Sequence, residues 1–193
     1  MNKLINSPLI LASKSPRRKN LLEQIGLTFK VIPSEVDESF DIDLLPSEFV
    51  RHYAKKKATN IAKKNPNSYV IGADTIVAYN DQILGKPRDK DESYRMLSTL
   101  SGKTHKVYTG VSIQHKNLKI DKTFYDVTDV SFNTLSDNDI YYYIDTYKPF
   151  DKAGSYGIQD WFSVHVNKIN GCFYNVMGLP ISSFYYHFFS IIK

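Results

Sequence analysis

The run Tyr69 to Tyr79, YVIGADTIVAY, constrains this chain more than any other segment. It is rich in β-branched and small apolar residues and reads as a buried strand, yet it carries one carboxylate, Asp74, at its centre. An isolated charge in an apolar interior is expensive, so Asp74 must meet a cation, a metal or a set of backbone donors. Gly72 and Ala73 beside it leave room for close approach by a ligand or by another stretch of backbone.

Strand and helix patterns alternate around that run, which predicts an α/β domain over residues 1–193 with no repeats or linkers. A strand at Leu9 to Ala12 leads into a helix over Arg17 to Ile25, with Ser15 as N-cap, Pro16 at the first helical position and Gly26 as the stop. A strand follows at Phe29 to Ile32, then a polar loop from Ser34 to Ser39. A helix runs from Ser47 to about Lys64, with Val50, Tyr53, Ala54, Ala58, Ile61 and Ala62 on one face. Beyond the central run, Asn80-Asp81 marks a turn and Asp91 to Leu100 a helix closed by Gly102. Strands are expected near Lys106 to Gln114 and Lys122 to Asn133. Ser136 with Asp139 opens a helix carrying Ile140, Tyr143, Ile144 and Tyr147. Asn170-Gly171 predicts a hairpin between strands at Ser163 to Ile169 and Cys172 to Val176. Pro180 begins a last amphipathic helix through Phe184, Tyr185, Phe188 and Ile192.

Cations stand in unusual places on this framework. In SKSPRR, two of the chain's five arginines, Arg17 and Arg18, fall in the first helical turn. The partial positive charge of a helix N-terminus disfavours each by about 0.3–1 kcal/mol unless an anion joins them. Lys57 shares the apolar stripe of its helix; it either reaches inward to a charge or snorkels at the stripe's edge. Lys86, between Gly85 and Pro87, sits on a constrained loop. Phosphate esters meet the combined demand of these cations and Asp74, because phosphoryl chemistry needs charge neutralisation and positioning above all.

Other chemistries find less support. The formal net charge of +5 comes mostly from scattered lysines that read as solvated helix faces, and no nucleic-acid motif accompanies it. No apolar run approaches a membrane span. The single cysteine, Cys172, excludes an internal disulfide, fits a reducing cytoplasm and reads as a small buried hydrophobe in a strand. Gly102-Lys103-Thr104 has Leu97 where a P-loop needs its first glycine, Ala153-Gly154-Ser155-Tyr156-Gly157 lacks the first glycine of a nucleophile elbow, and the five histidines show no ligand spacing.

LILASKSPRRKNLL, GADTIV, LGKP, MLSTLSGKTHKVYTGV, DKAGSYGIQ and NVMGLPI, taken together and in this order, resemble the Maf proteins, the septum-inhibition-related nucleoside triphosphate pyrophosphatases. The resemblance spans nearly the whole chain. It implies a mixed sheet with flanking helices, two lobes around a central cleft, a fold related to inosine triphosphatases, and a homodimer. It also implies hydrolysis of a nucleoside triphosphate to the monophosphate and pyrophosphate, assisted by a divalent cation such as Mg or Mn. Under it Asp74 is the proton acceptor, Ser13, Arg17, Arg18, Lys57 and Lys86 bind the triphosphate, and Glu38 with Asp74 holds metal. Arg17, Thr75 and Gln159 resemble the dTTP/UTP branch rather than the 7-methyl-GTP branch. Asp160-Trp161-Phe162 departs from the family, which has a glycine-containing stretch there. The reading from another class is a nucleotide-binding regulator of cell division with little turnover.

Overall fold

The computed structural model describes residues 7–37 and 43–192. Seven strands form one mixed sheet among them: β1 (Leu9–Leu11), β2 (Lys30–Val31), β3 (Tyr69–Tyr79), β4 (Gln82–Leu84), β5 (Thr104–His115), β6 (Ile120–Phe132) and β7 (Val166–Asn170). They lie in the order β2-β1-β3-β5-β6-β7, with β4 paired to the far end of β3. β1 is parallel to both neighbours, whereas β3, β5, β6 and β7 run antiparallel in turn. The helices are α1 (Pro16–Gln24), α2 (Pro46–Lys64), α3 (Lys90–Leu100), α4 (Asp137–Tyr147), α5 (Phe173–Val176) and α6 (Ile181–Ile191).

The long apolar character of β3 follows from cover on both faces. On one face Val70 packs with Ala58, Ile61 and Ala62 of α2, and Ile76 with Phe49, Val50 and Tyr53. On the other, Ile71 and Ala73 meet Leu21 and Leu22 of α1 and Phe184 and Phe188 of α6. Val77 continues that face into a second cluster with Leu97, Leu100, Tyr143 and Phe162. Helix α2 lies directly on the sheet because two glycines let it. A Cβ on Gly72 would stand 2.3 Å from the Ala54 carbonyl oxygen, and one on Gly110 2.2 Å from that of Val50. The space beside Asp74 is thus filled by helix backbone, one of the two occupants the sequence allowed.

Local expectations hold at most element starts. Ser15 caps α1, its hydroxyl accepting from the Arg18 amide, with Pro16 at the first helical position. Ser136 and Asp139 form the reciprocal box that opens α4. Asn80 and Asp81 both take positive φ, the backbone twist a two-residue hairpin between β3 and β4 needs.

The expected hairpin at Asn170-Gly171 does not form. Its first arm begins as a 3-10 helix over Trp161–His165, since the Asp160 carboxylate accepts from the Phe162 amide and caps it; only Val166–Asn170 is strand. The second arm, Cys172 to Val176, is helical rather than extended. Its backbone is satisfied by a side chain instead of a ladder: Thr128 Oγ1 accepts from the Cys172 amide at 3.1 Å and donates to the Cys172 carbonyl at 3.1 Å. Cys172 is half-buried at the N-cap of α5 rather than inside a strand.

Candidate active site

β1 ends at Leu11, opposite Ile71, and β4 first pairs at Val77, so residues 72–76 of β3 have a ladder partner only on the β5 side. That gap in the sheet is the floor of a cleft of about 720 Å³. Successive side chains of a strand point to opposite faces, and at an open edge both faces are reachable. Asp74 and Thr75, neighbours in sequence on opposite faces, therefore both line the cleft. It lies at the carboxyl end of parallel β1, where the chain turns into α1 and the neighbour order switches, the usual place for a ligand in an open α/β sheet.

Asp74 is 2% exposed, and its Oδ1 accepts a hydrogen bond from Lys57 Nζ at 2.6 Å. Lys57 reaches inward, which decides between the two readings of that residue. Its side chain is only 12% exposed, so the pair is desolvated, and removing either partner would take a close, buried counter-charge from the other.

The SKSPRR segment forms the adjacent wall. Ser13 Oγ accepts from the Ser15 amide at 3.2 Å and from Arg18 Nη1 at 3.1 Å. Arg18 also donates from Nε to the Gly178 carbonyl at 2.8 Å and from Nη2 to Thr75 Oγ1 at 2.9 Å. Arg17 points to the rim, where Nη1 meets Asp151 Oδ2 at 3.1 Å.

Lys86 is exposed at the cleft on a loop tied down by the Gly154 amide, which donates to the Gly85 carbonyl at 2.9 Å. Gln159 is likewise exposed and lines the opposite wall. Glu38 lies outside the described residues. The structure thus brings Ser13, Arg17, Arg18, Lys57, Asp74, Thr75, Lys86 and Gln159 to one cleft.

The sequence reading gave no role to Asp151, Lys152 or Tyr143 in the opposite wall. Lys152 lines the cleft and pairs with Asp151 Oδ1 at 2.8 Å. Burial works against ionisation of Asp151, but Lys152 and Arg17 together outweigh it and hold the carboxyl below its ordinary range. Tyr143 pins the wall from α4: its hydroxyl donates to Asp160 Oδ2 at 3.0 Å and accepts from the Gly157 amide at 2.9 Å. Burial, reinforced by the Asp160 carboxylate, pushes the Tyr143 phenol far above its ordinary pKa and keeps it a donor. Trp161 stacks near Tyr143 and Tyr147, and Phe162 is buried among them. The departure at Asp160-Trp161-Phe162 is therefore an anchor for the loop that carries Gln159. An acid three residues after Gly157 was the one available signal.

The competing motifs come to nothing chemical. Ser155 is fully buried and hydrogen-bonded to Ser93 of α3, where it locks a tight turn and is out of reach of a substrate. No described helix is long and apolar enough to cross a membrane.

The Maf-like protein family model matches residues 8–189. A dTTP/UTP pyrophosphatase of Bacillus pumilus is 51% identical over 174 residues, covering 90% of this chain and 91% of that one. One from Carboxydothermus hydrogenoformans is 48% identical over 177 residues, covering 92% and 95%. Among solved structures, a HAM1 protein from Coxiella burnetii aligns loosely, at TM-score 0.47 and 15% identity, over 65% of this chain and 73% of that one. With the family's segments gathered around one cleft and this degree of identity along nearly its whole length, the chain belongs to the Maf family.

Proposed function

We propose that this chain is a nucleoside triphosphate pyrophosphatase that hydrolyses dTTP and UTP to the monophosphate and pyrophosphate. The observation that carries the reading is the buried Asp74–Lys57 pair on the floor of a cleft whose walls add Arg17, Arg18, Lys86 and Lys152. The names of the relatives point the same way.

In this reading the triphosphate lies along the cations. Arg18 and the start of α1 take phosphate oxygens, so the anion missing from the first helical turn is the substrate's own. Arg17 and Lys152 exchange Asp151 for phosphate at the rim, and Lys57 shares its protons between Asp74 and the incoming ester. Asp74 accepts a proton from the water whose oxygen bonds to the α-phosphorus. The bond from that phosphorus to the bridging oxygen breaks, and pyrophosphate leaves with the bridging oxygen. The walls hold water and phosphorus in line and neutralise the charge that develops.

The donor set suits a divalent cation of the magnesium type, which is held by one or two carboxylates together with phosphate oxygens and water. Asp74 would supply one carboxylate and Glu38 the second; the cation, when bound, neutralises phosphate charge. Arg17 and Gln159 set the preference for pyrimidine nucleotides, and the protein works in the cytoplasm as a homodimer.

Pyrophosphate release from dTTP, UTP, CTP, ITP and 7-methyl-GTP with Mg or Mn tests the assignment. We expect dTTP and UTP to be turned over at least roughly tenfold faster than the others. A preference for 7-methyl-GTP would overturn the substrate assignment, and nucleotide binding without pyrophosphate release would overturn the enzymatic one.

A further inference from the structure

The reading above leaves the NVMG segment, Asn175 to Gly178, without a role, although it closes the cleft behind Arg18. Two of its carbonyls face the same network. Gly178 receives Arg18 Nε directly at 2.8 Å. Asn175, fully buried, receives Thr109 Oγ1 at 2.9 Å. Between Thr109 and Arg18 stands Thr75, the residue directly opposite Thr109 in the β3–β5 ladder, with the two hydroxyl oxygens 2.9 Å apart.

The direction of these bonds is fixed at both ends. A guanidinium only donates and a carbonyl only accepts. Each threonine has one proton. All three contacts are hydrogen bonds only if Arg18 Nη2 donates to Thr75, Thr75 to Thr109, and Thr109 to the Asn175 carbonyl. The Thr75 proton then points away from the cleft, and no carbonyl of a pyrimidine base can receive it. Asn175 is itself held in place, its Nδ2 donating to the Val107 carbonyl at 2.9 Å and to Thr128 Oγ1 at 3.0 Å.

We propose that Thr109 and the Asn175–Gly178 turn are positioning elements for Arg18, and that Thr75 acts on substrate through Arg18 rather than by touching the base. The turn supplies two rigid acceptors, one direct and one relayed through two threonines, and together they aim the guanidinium at phosphate. Thr109 is fully buried within β5, on the same face as Thr75, and does not line the cleft. The inference rests on the reading that the cleft binds a nucleoside triphosphate.

The test compares Thr109→Val, which keeps shape and removes the hydroxyl, with Thr109→Ser, which keeps it. Calorimetric affinities are measured for inorganic tripolyphosphate, which has no base, and for α,β-imido-dTTP. Thr109→Val should weaken both by the same factor, about fivefold, with Thr109→Ser within about twofold of the parent. In an Arg18→Lys background, Thr109→Val should add nothing. Weakening confined to the imido nucleotide, unchanged affinity for both, or a full additional loss in the Arg18→Lys background would overturn the proposal. Should Thr109→Val fail to fold, Thr75→Val breaks the same link from its half-buried end and carries the same expectation. These affinities need no turnover. Failure of the parent to release pyrophosphate from dTTP would count against the functional reading, while the tripolyphosphate comparison still judges the positioning.

Discussion

The two walls of the cleft are built on opposite principles. The wall made by Ser13 to Arg18, Lys57 and Asp74 is an arrangement of charges that local rules forbid: cations at a helix N-terminus, a lysine on an apolar stripe, a carboxylate inside a strand. The wall made by residues 151–160 carries no such conflict of charge and is held by buried aromatic hydroxyls, that of Tyr143 from α4 on Gly157 and Asp160, and that of the wall's own Tyr156 on His105 of β5. The first wall keeps its conflict because a ligand resolves it. The second has no conflict to announce itself, and its precision comes from packing.

The largest expected effect breaks the first wall. Lys57→Met removes the close cation from the buried Asp74 and should cost about 3 kcal/mol of stability, read by chemical denaturation, with pyrophosphate release falling roughly a hundredfold or more. Adding Asp74→Asn to Lys57→Met should recover most of the stability and none of the activity.

The second wall should show itself through pH. Burial, opposed only by Asp129, lowers the His105 imidazole from 6.5 to about 4. A depressed folded pKa means that the unfolded chain binds the extra proton first. The stabilisation is complete above about pH 6.5 and is lost as pH falls towards 4, to a total of about 3 kcal/mol. Denaturation midpoints of the parent should fall across that window, and those of His105→Gln should stay flatter. A Tyr143→Phe substitution sharpens the comparison further. It frees the Gly157 amide and Asp160, should cost about 1–2 kcal/mol, and should raise the dTTP KM severalfold while sparing tripolyphosphate affinity. The smallest effect belongs to the rim: Asp151→Asn releases Arg17 and Lys152, and dTTP affinity measured by calorimetry should tighten by about twofold.

The same contrast explains what the sequence made legible. The central strand, the start of α1, the opening of α4 and the β3–β4 turn were readable because each is set by neighbours within a few residues. So were Asp74 and Lys57 as charges needing partners, although their pairing across 17 residues required the fold. The stretch from Ser163 to Val176 misled because its pattern and its Asn-Gly pair fit a hairpin. What decides it instead is Thr128, distant in sequence, whose hydroxyl takes the place of a strand partner for Cys172. Lys152 stayed hidden because an exposed-looking lysine beside an aspartate says nothing about a cleft until the loop is placed.

The central claim is that Asp74 takes the proton from the attacking water. Pyrophosphate release from dTTP by the parent and by Asp74→Asn, with nucleotide affinity measured alongside, tests it most directly. The account predicts that turnover falls roughly hundred- to ten-thousandfold while the nucleotide still binds. Turnover within a few-fold of the parent would contradict it.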